Sequence, residues 1–183
     1  MAYYLHLEAL VPIKPDDDHF ISMVKALVDP SLEHQPRGLR DPEHPFFREG
    51  GEHLLRYRRD TRTPGCRVLQ DEGRPILVLT VFYKDNGLGL VHFHNLLTWL
   101  HPHVDMDAQA SLGKFHQEQD QGTTHWDLYY CPKEGYRFED VTWPKVGFMG
   151  MQDSGSLRIK WLTPDGMVTN HVLASANQSW SLR

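Results

Sequence analysis

From Ala108 onward the sequence is cut at short intervals by turn signals, at Gln121-Gly122, Pro132-Lys133-Glu134-Gly135, Asp153-Ser154-Gly155 and Pro164-Asp165-Gly166. Between them apolar and polar residues alternate. Trp126, Leu128 and Tyr130 alternate with Asp127, Tyr129 and Cys131, and Leu157, Ile159 and Trp161 alternate with Arg158 and Lys160. Successive side chains of a strand point to opposite faces, so segments of this kind form an antiparallel meander with one wet face. This half of the chain commits the protein to an antiparallel sheet.

The first half supplies the helices. Tyr3 to Val11 is apolar-rich and reads as a strand, broken by Pro12 and Pro15. Phe20, Met23, Val24, Leu27 and Val28 then recur at i, i+3, i+4, i+7 and i+8, so the spacing predicts a helix over about 16–28, ended by Pro30. Asp16, Asp17 and Asp18 open that helix, where a carboxylate caps free N–H groups and meets the positive end of the dipole. Residues 29–52 carry four prolines and three glycines with no sustained period, which predicts a long loop that Phe46 and Phe47 dock onto the body or a partner. Glu52 to Arg59 fits a short helix or a strand equally. Ile76 to Tyr83, a β-branched and aromatic run, reads as a central buried strand. Asn86-Gly87 signals a hairpin, whereas Leu90, Phe93, Leu97 and Leu100 step by 3, 4 and 3. The helical spacing is preferred, giving a second main helix over about 88–100. The whole reads as one α+β domain over 1–183, a mostly antiparallel layered sheet of six to eight strands with two main helices. A strand followed by a helix occurs both near residue 3 and near residue 76, which makes a remote duplication conceivable, though residue identity between the two is too poor to establish one.

With 183 residues, 40% of them apolar, the chain suits a single domain able to bury a core without a metal or disulfide staple. The longest apolar run, Ile76 to Phe82 with Thr80 inside it, is too short for a membrane span, and the first residues lack the pattern of a secretory signal. Cys66 and Cys131 form neither a disulfide framework nor a C-x-x-C pair, so a reducing cytoplasm is the expected compartment. The net charge of −5 argues against a nucleic-acid partner. It is unevenly spread: Arg37 to Arg74 holds nine arginines against seven acids, net +2, and the rest of the chain is −7.

Twelve histidines stand out, four of them (His92, His94, His101 and His103) between Val91 and Val104. If 101–107 is extended, as Pro102 encourages for its neighbour, His101, His103, Asp105 and Asp107 project to one side. Two imidazoles and two carboxylates so placed can bind zinc, manganese or iron, whose bound water is a nucleophile for hydrolysis. His101-Pro102-His103-Val104-Asp105 resembles the H-x-H-x-D core of the metallo-β-lactamase family. That resemblance implies a metal pair held by His101, His103 and Asp105. It covers five residues; the family pattern continues with a histidine where this chain has Met106, and it follows a strand where a helix is expected here. No nucleophile elbow, P-loop or dinucleotide fingerprint is present, and no catalytic residue is assigned.

Aromatic residues crowd the β-rich half, and Tyr129 and Tyr130 must face opposite ways, so some are exposed. Exposed aromatics among arginines anchor protein interfaces. The expectation is therefore a non-catalytic, cofactor-free binding protein with a protein partner, an inhibitor or antidote of a toxic enzyme fitting the motif-poor acidic chain. Tyr129, Tyr136, Trp143, Phe46 and Phe47 are the expected contact residues. The alternative is a small divalent-metal-dependent hydrolase built on His101, His103, Asp105 and Asp107.

Overall fold

The computed structural model describes residues 3–29, 43–56, 65–85, 89–119, 122–141 and 157–173. Eight strands form one open sheet: β1 (Tyr3–Pro12), β2 (Arg67–Asp71), β3 (Arg74–Asp85), β4 (Ala110–Gln119), β5 (Gly122–Cys131), β6 (Gly135–Asp140), β7 (Leu157–Leu162) and β8 (Val168–Leu173). They lie in the order β2-β3-β1-β4-β5-β6-β7-β8, antiparallel at every junction. The helices are α1 (Asp18–Val28), the single turns α2 (Pro45–Arg48) and α3 (His53–Arg56), and α4 (Gly89–Leu100), which runs into a 3-10 turn over His101–His103.

Because β1 pairs with both β3 and β4, those two run parallel with β1 between them, and α4 is the crossover that joins them. The same reasoning makes β1 and β2 parallel around β3, with α1 in their connection. The chain through β4 is thus a β-α-β-β-α-β unit of two split crossovers, with a strand followed by a helix both after residue 3 and after residue 74. From β4 onward each strand pairs with the next, the expected meander.

The helices cover one face. Leu5, Leu7, Ala9 and Val11 of β1 and Leu77, Leu79 and Val81 of β3 are buried in one core with Phe20, Met23, Val24 and Leu27 of α1 and Phe93, Leu96, Leu97 and Leu100 of α4. Each Val, Leu, Met or Phe side chain among them contributes on the order of 1.5–3 kcal/mol by leaving water. Both helical stripes therefore fold as their spacing predicts. Asp17 caps α1, its carboxylate accepting the Phe20 N–H at 3.1 Å. At the other end of α1 the Arg56 guanidinium donates to the carbonyls of Leu27 at 3.0 Å and Ala26 at 3.5 Å, placing a cation at the negative end of the dipole. Trp99 gathers the helical layer, its ring 5.0 Å from Phe20, 4.9 Å from Phe46 and 5.2 Å from Phe47. The described part of the long Pro/Gly-rich segment is therefore docked on the body, while 30–42 lies outside the described residues.

Close backbone approach decides one position. A β-bulge interrupts β4 between Ser111 and Gly113, and a Cβ on Gly113 would sit 1.9 Å from the Glu8 carbonyl oxygen. Cys66 and Cys131 are both buried and unpaired with each other. Among the described residues no helix is long and apolar enough to cross a membrane.

The alternate residues of the sheet form a second face on which no helix packs among the described residues. Tyr4, His6, Glu8 and Leu10 of β1 look out from it, Leu10 being 56% exposed. β7 contributes to the two faces against its hydropathy. Its register pairs Lys160 with Phe138 and Trp161 with Arg137, so the lysine shares the helix-covered side with the buried Phe138 and the tryptophan joins the bare side.

Candidate binding face

The four residues expected to hold a metal do not converge. Pro102 occupies the second position of the 3-10 turn that prolongs α4, a place that suits its fixed φ, so 101–103 keeps turning instead of extending. His103 Nδ1 lies 2.6 Å from Asp17 Oδ2 and its ring stacks on Phe20 with centroids 3.7 Å apart. His101 turns toward Tyr130 and Tyr136, at 5.3 and 6.0 Å between ring centroids. Asp105 and Asp107 are exposed. Among the described residues no group of three or more His, Cys, Asp or Glu side chains is arranged to hold a metal ion. His101 and His103 work as scaffold. Burial of Asp17 alone would raise its pKa, but the hydrogen bonds from His103 and the Phe20 N–H, with the charge of His103, hold the carboxyl below its ordinary value. His101 is kept neutral by burial and by the Lys14 ammonium, which lower its pKa.

Of the expected contact residues that are described, only Tyr129 is placed on the bare face. Phe46, Phe47 and Tyr136 are buried. The helical turn of α2 packs both phenylalanines on Trp99, and pairing with Tyr130 places Tyr136 on the helix-covered side. Burial, reinforced by Tyr130, pushes the Tyr136 hydroxyl well above its ordinary pKa. Trp143 lies outside the described residues.

The bare face groups other side chains. The Arg137 guanidinium lies 4.8 Å from the Tyr129 ring centroid and 5.8 Å from that of Trp161, and it pairs with Glu139 at 2.9 Å. These residues sit side by side on β5, β6 and β7, so a cation is held between two aromatic faces. Burial, then the carboxylates of Glu139 and Asp127, raise the pKa of Tyr129 and keep its hydroxyl protonated.

A second group runs across β3, β1, β4 and β5, where the register aligns Phe82, His6, His116 and His125 in one row. Tyr4 stacks on Phe82 at 5.2 Å, His6 and His116 are 5.7 Å apart between centroids, and the Nδ1 atoms of His116 and His125 meet at 2.6 Å. One of those nitrogens must donate and the other accept, so the pair is satisfied as neutral rings or with one added proton. Burial, followed by the neighbouring His125 and His6, lowers the pKa of His116 accordingly. Two residues along, on the same face, Glu8, Lys114 and Asp127 alternate in sign across three strands. The face thus combines aromatic, imidazole and guanidinium groups with interleaved charges of both signs, a surface chemistry suited to contact with another protein.

No protein-family model matches the chain, and no curated protein or solved structure shows significant similarity to it.

Proposed function

We propose that the protein is a non-catalytic binding protein that engages a protein partner through the bare face of its sheet. The observation that carries this reading is the Tyr129–Arg137–Trp161 group. Two large aromatics and an arginine, the side chains most enriched among interface anchors, are held together on the side away from the helices. Arg137 enters contact already oriented by the two rings and by Glu139, which lowers the entropy lost on binding. Inhibition of a toxic enzyme is the role that best fits such a face, and the net charge of −5 favours encounter with a basic partner.

The test is site-specific photo-crosslinking in the native cell. A benzoylphenylalanine replaces Tyr129 or Trp161 on the bare face, or Val91, which is 42% exposed on α4. One basic protein captured from positions 129 and 161, and not from 91, is the expected result. The same adduct from 91 alone, or no adduct from 129 and 161, overturns the reading.

A further inference from the structure

A cavity of about 180 Å³ lies on the helix-covered side, between α4 and the sheet. Its walls are aromatic: Phe93 of α4, Phe115 of β4, Trp126 of β5 and Phe138 of β6 all line it and all are buried. Phe115 stands edge-on to Phe93, with centroids 5.5 Å apart, and to Phe138, at 5.9 Å. Rings in such contact usually fill the space between them, and protein cores leave few voids larger than a water molecule. A space of this size at the centre of an aromatic cluster is therefore a departure from ordinary packing.

The size suits one ring, since an engineered protein cavity of about 150 Å³ takes benzene. Two ionisable side chains share the lining. The Lys160 ammonium is already engaged, by the Trp126 ring at 4.7 Å among other interactions, and serves as part of the wall. His94 differs: its ring lies 6.4 Å from that of Phe138 and has no hydrogen-bond partner among the described residues. Burial, then the Lys160 ammonium, lower its pKa to about 4, so at neutral pH it offers one N–H donor, one acceptor and no charge. We infer that the cavity is a binding site for a small uncharged aromatic molecule, a single ring bearing one hydroxyl group, seated among Phe93, Phe115, Trp126 and Phe138 with the hydroxyl hydrogen-bonded to His94. The rings supply contact area and the imidazole fixes orientation. A cation would meet the Lys160 ammonium, and an anion would shed its hydration against hydrocarbon walls and compete with the partners Lys160 already has. This site lies across the sheet from the bare face and does not depend on the protein partner proposed for it.

Three probes built on one ring separate shape, hydrogen bonding and charge: benzyl alcohol, toluene and benzoate, titrated into the full chain at pH 7 by isothermal calorimetry. Benzyl alcohol should bind about fivefold tighter than toluene, the worth of one ordinary hydrogen bond, and benzoate should bind weakest. That ranking on the wild type tests the site without any variant. His94→Leu should bring benzyl alcohol down to the affinity of toluene and leave toluene bound. Val168→Trp, at a lining residue that is 39% exposed and so outside the packed core, should obstruct the cavity and weaken both neutral probes together. Benzoate binding as tightly as benzyl alcohol, equal affinities for the two neutral probes, a preference that survives His94→Leu, binding indifferent to Val168→Trp, or no binding of any probe at millimolar concentration overturns the proposal.

Discussion

Acidification from pH 7 to pH 5 should destabilise the fold, and a substitution at His94 should remove a defined part of that loss. The imidazole has an ordinary pKa of 6.5 and one of about 4 in the fold, because burial and then the Lys160 ammonium disfavour its charged form. The unfolded chain therefore takes up a proton first. The stability associated with the neutral ring is fully present above about pH 7 and is lost as pH falls through 6.5 toward 4. A gap of about 2.5 on the pH scale is worth about 3.4 kcal/mol at the acid limit, and linkage places about 2 kcal/mol of it between pH 7 and pH 5. The ring is only partly buried and solvent screens part of its charge, so the loss due to His94 is about 1–2 kcal/mol over that range. Urea unfolding followed by tryptophan fluorescence at pH 7, 6 and 5 measures it in the wild type and in His94→Gln. His101 and His116, whose pKa values are lowered too, steepen both curves alike, so the difference in slope belongs to His94. His94→Gln should lose about 1–2 kcal/mol less than the wild type between pH 7 and pH 5. Equal slopes would refute the assignment of a buried, neutral imidazole at this position.

Asp17→Ala should cost about 1–2 kcal/mol in the same assay, since it removes both the α1 cap and the contact with His103. The depressed Asp17 pKa means that this contribution is present at neutral pH and fades as the carboxylate protonates below its ordinary value of 3.8, so the cost should shrink at pH 3. Gly113→Ala should destabilise by more than about 3 kcal/mol, because the new Cβ meets the Glu8 carbonyl and the backbones of β1 and β4 must part. Hydrogen exchange should show faster exchange in β1 and β4 before other strands; unchanged protection there would contradict the close approach.

What could be read in the sequence depended on how local the determining contacts are. The α1 and α4 stripes, the β3 run and the punctuated meander all follow from neighbours within one or two turns, and the structure builds each of them. The β2–β3 hairpin was less visible. It closes on Glu72-Gly73, where both residues take positive φ, and a glutamate there is a weak signal compared with asparagine. Residues 101–107 illustrate a different failure. Proline favours extension in its predecessor, but α4 continues through His101, and the 3-10 turn accepts proline at its second position. The histidine row could not have been found by spacing, since His6 meets His116 only through the β1–β4 register. Nor could alternation alone orient β7. Read by hydropathy, Trp161 belongs inside and Lys160 outside, and the register with β6 places them the other way. That reversal is what gives the bare face its tryptophan.

The most direct test of a bare-face interface is the affinity of the cross-linked partner, purified and titrated against the wild type, Trp161→Ala, Arg137→Ala and Val91→Ala by biolayer interferometry. Loss of an anchor aromatic or arginine typically costs 2 kcal/mol or more, so the first two variants should bind about thirtyfold more weakly, with Val91→Ala unchanged. Wild-type affinity in Trp161→Ala and Arg137→Ala, with circular dichroism showing both folded, would contradict the assignment of this face to partner binding.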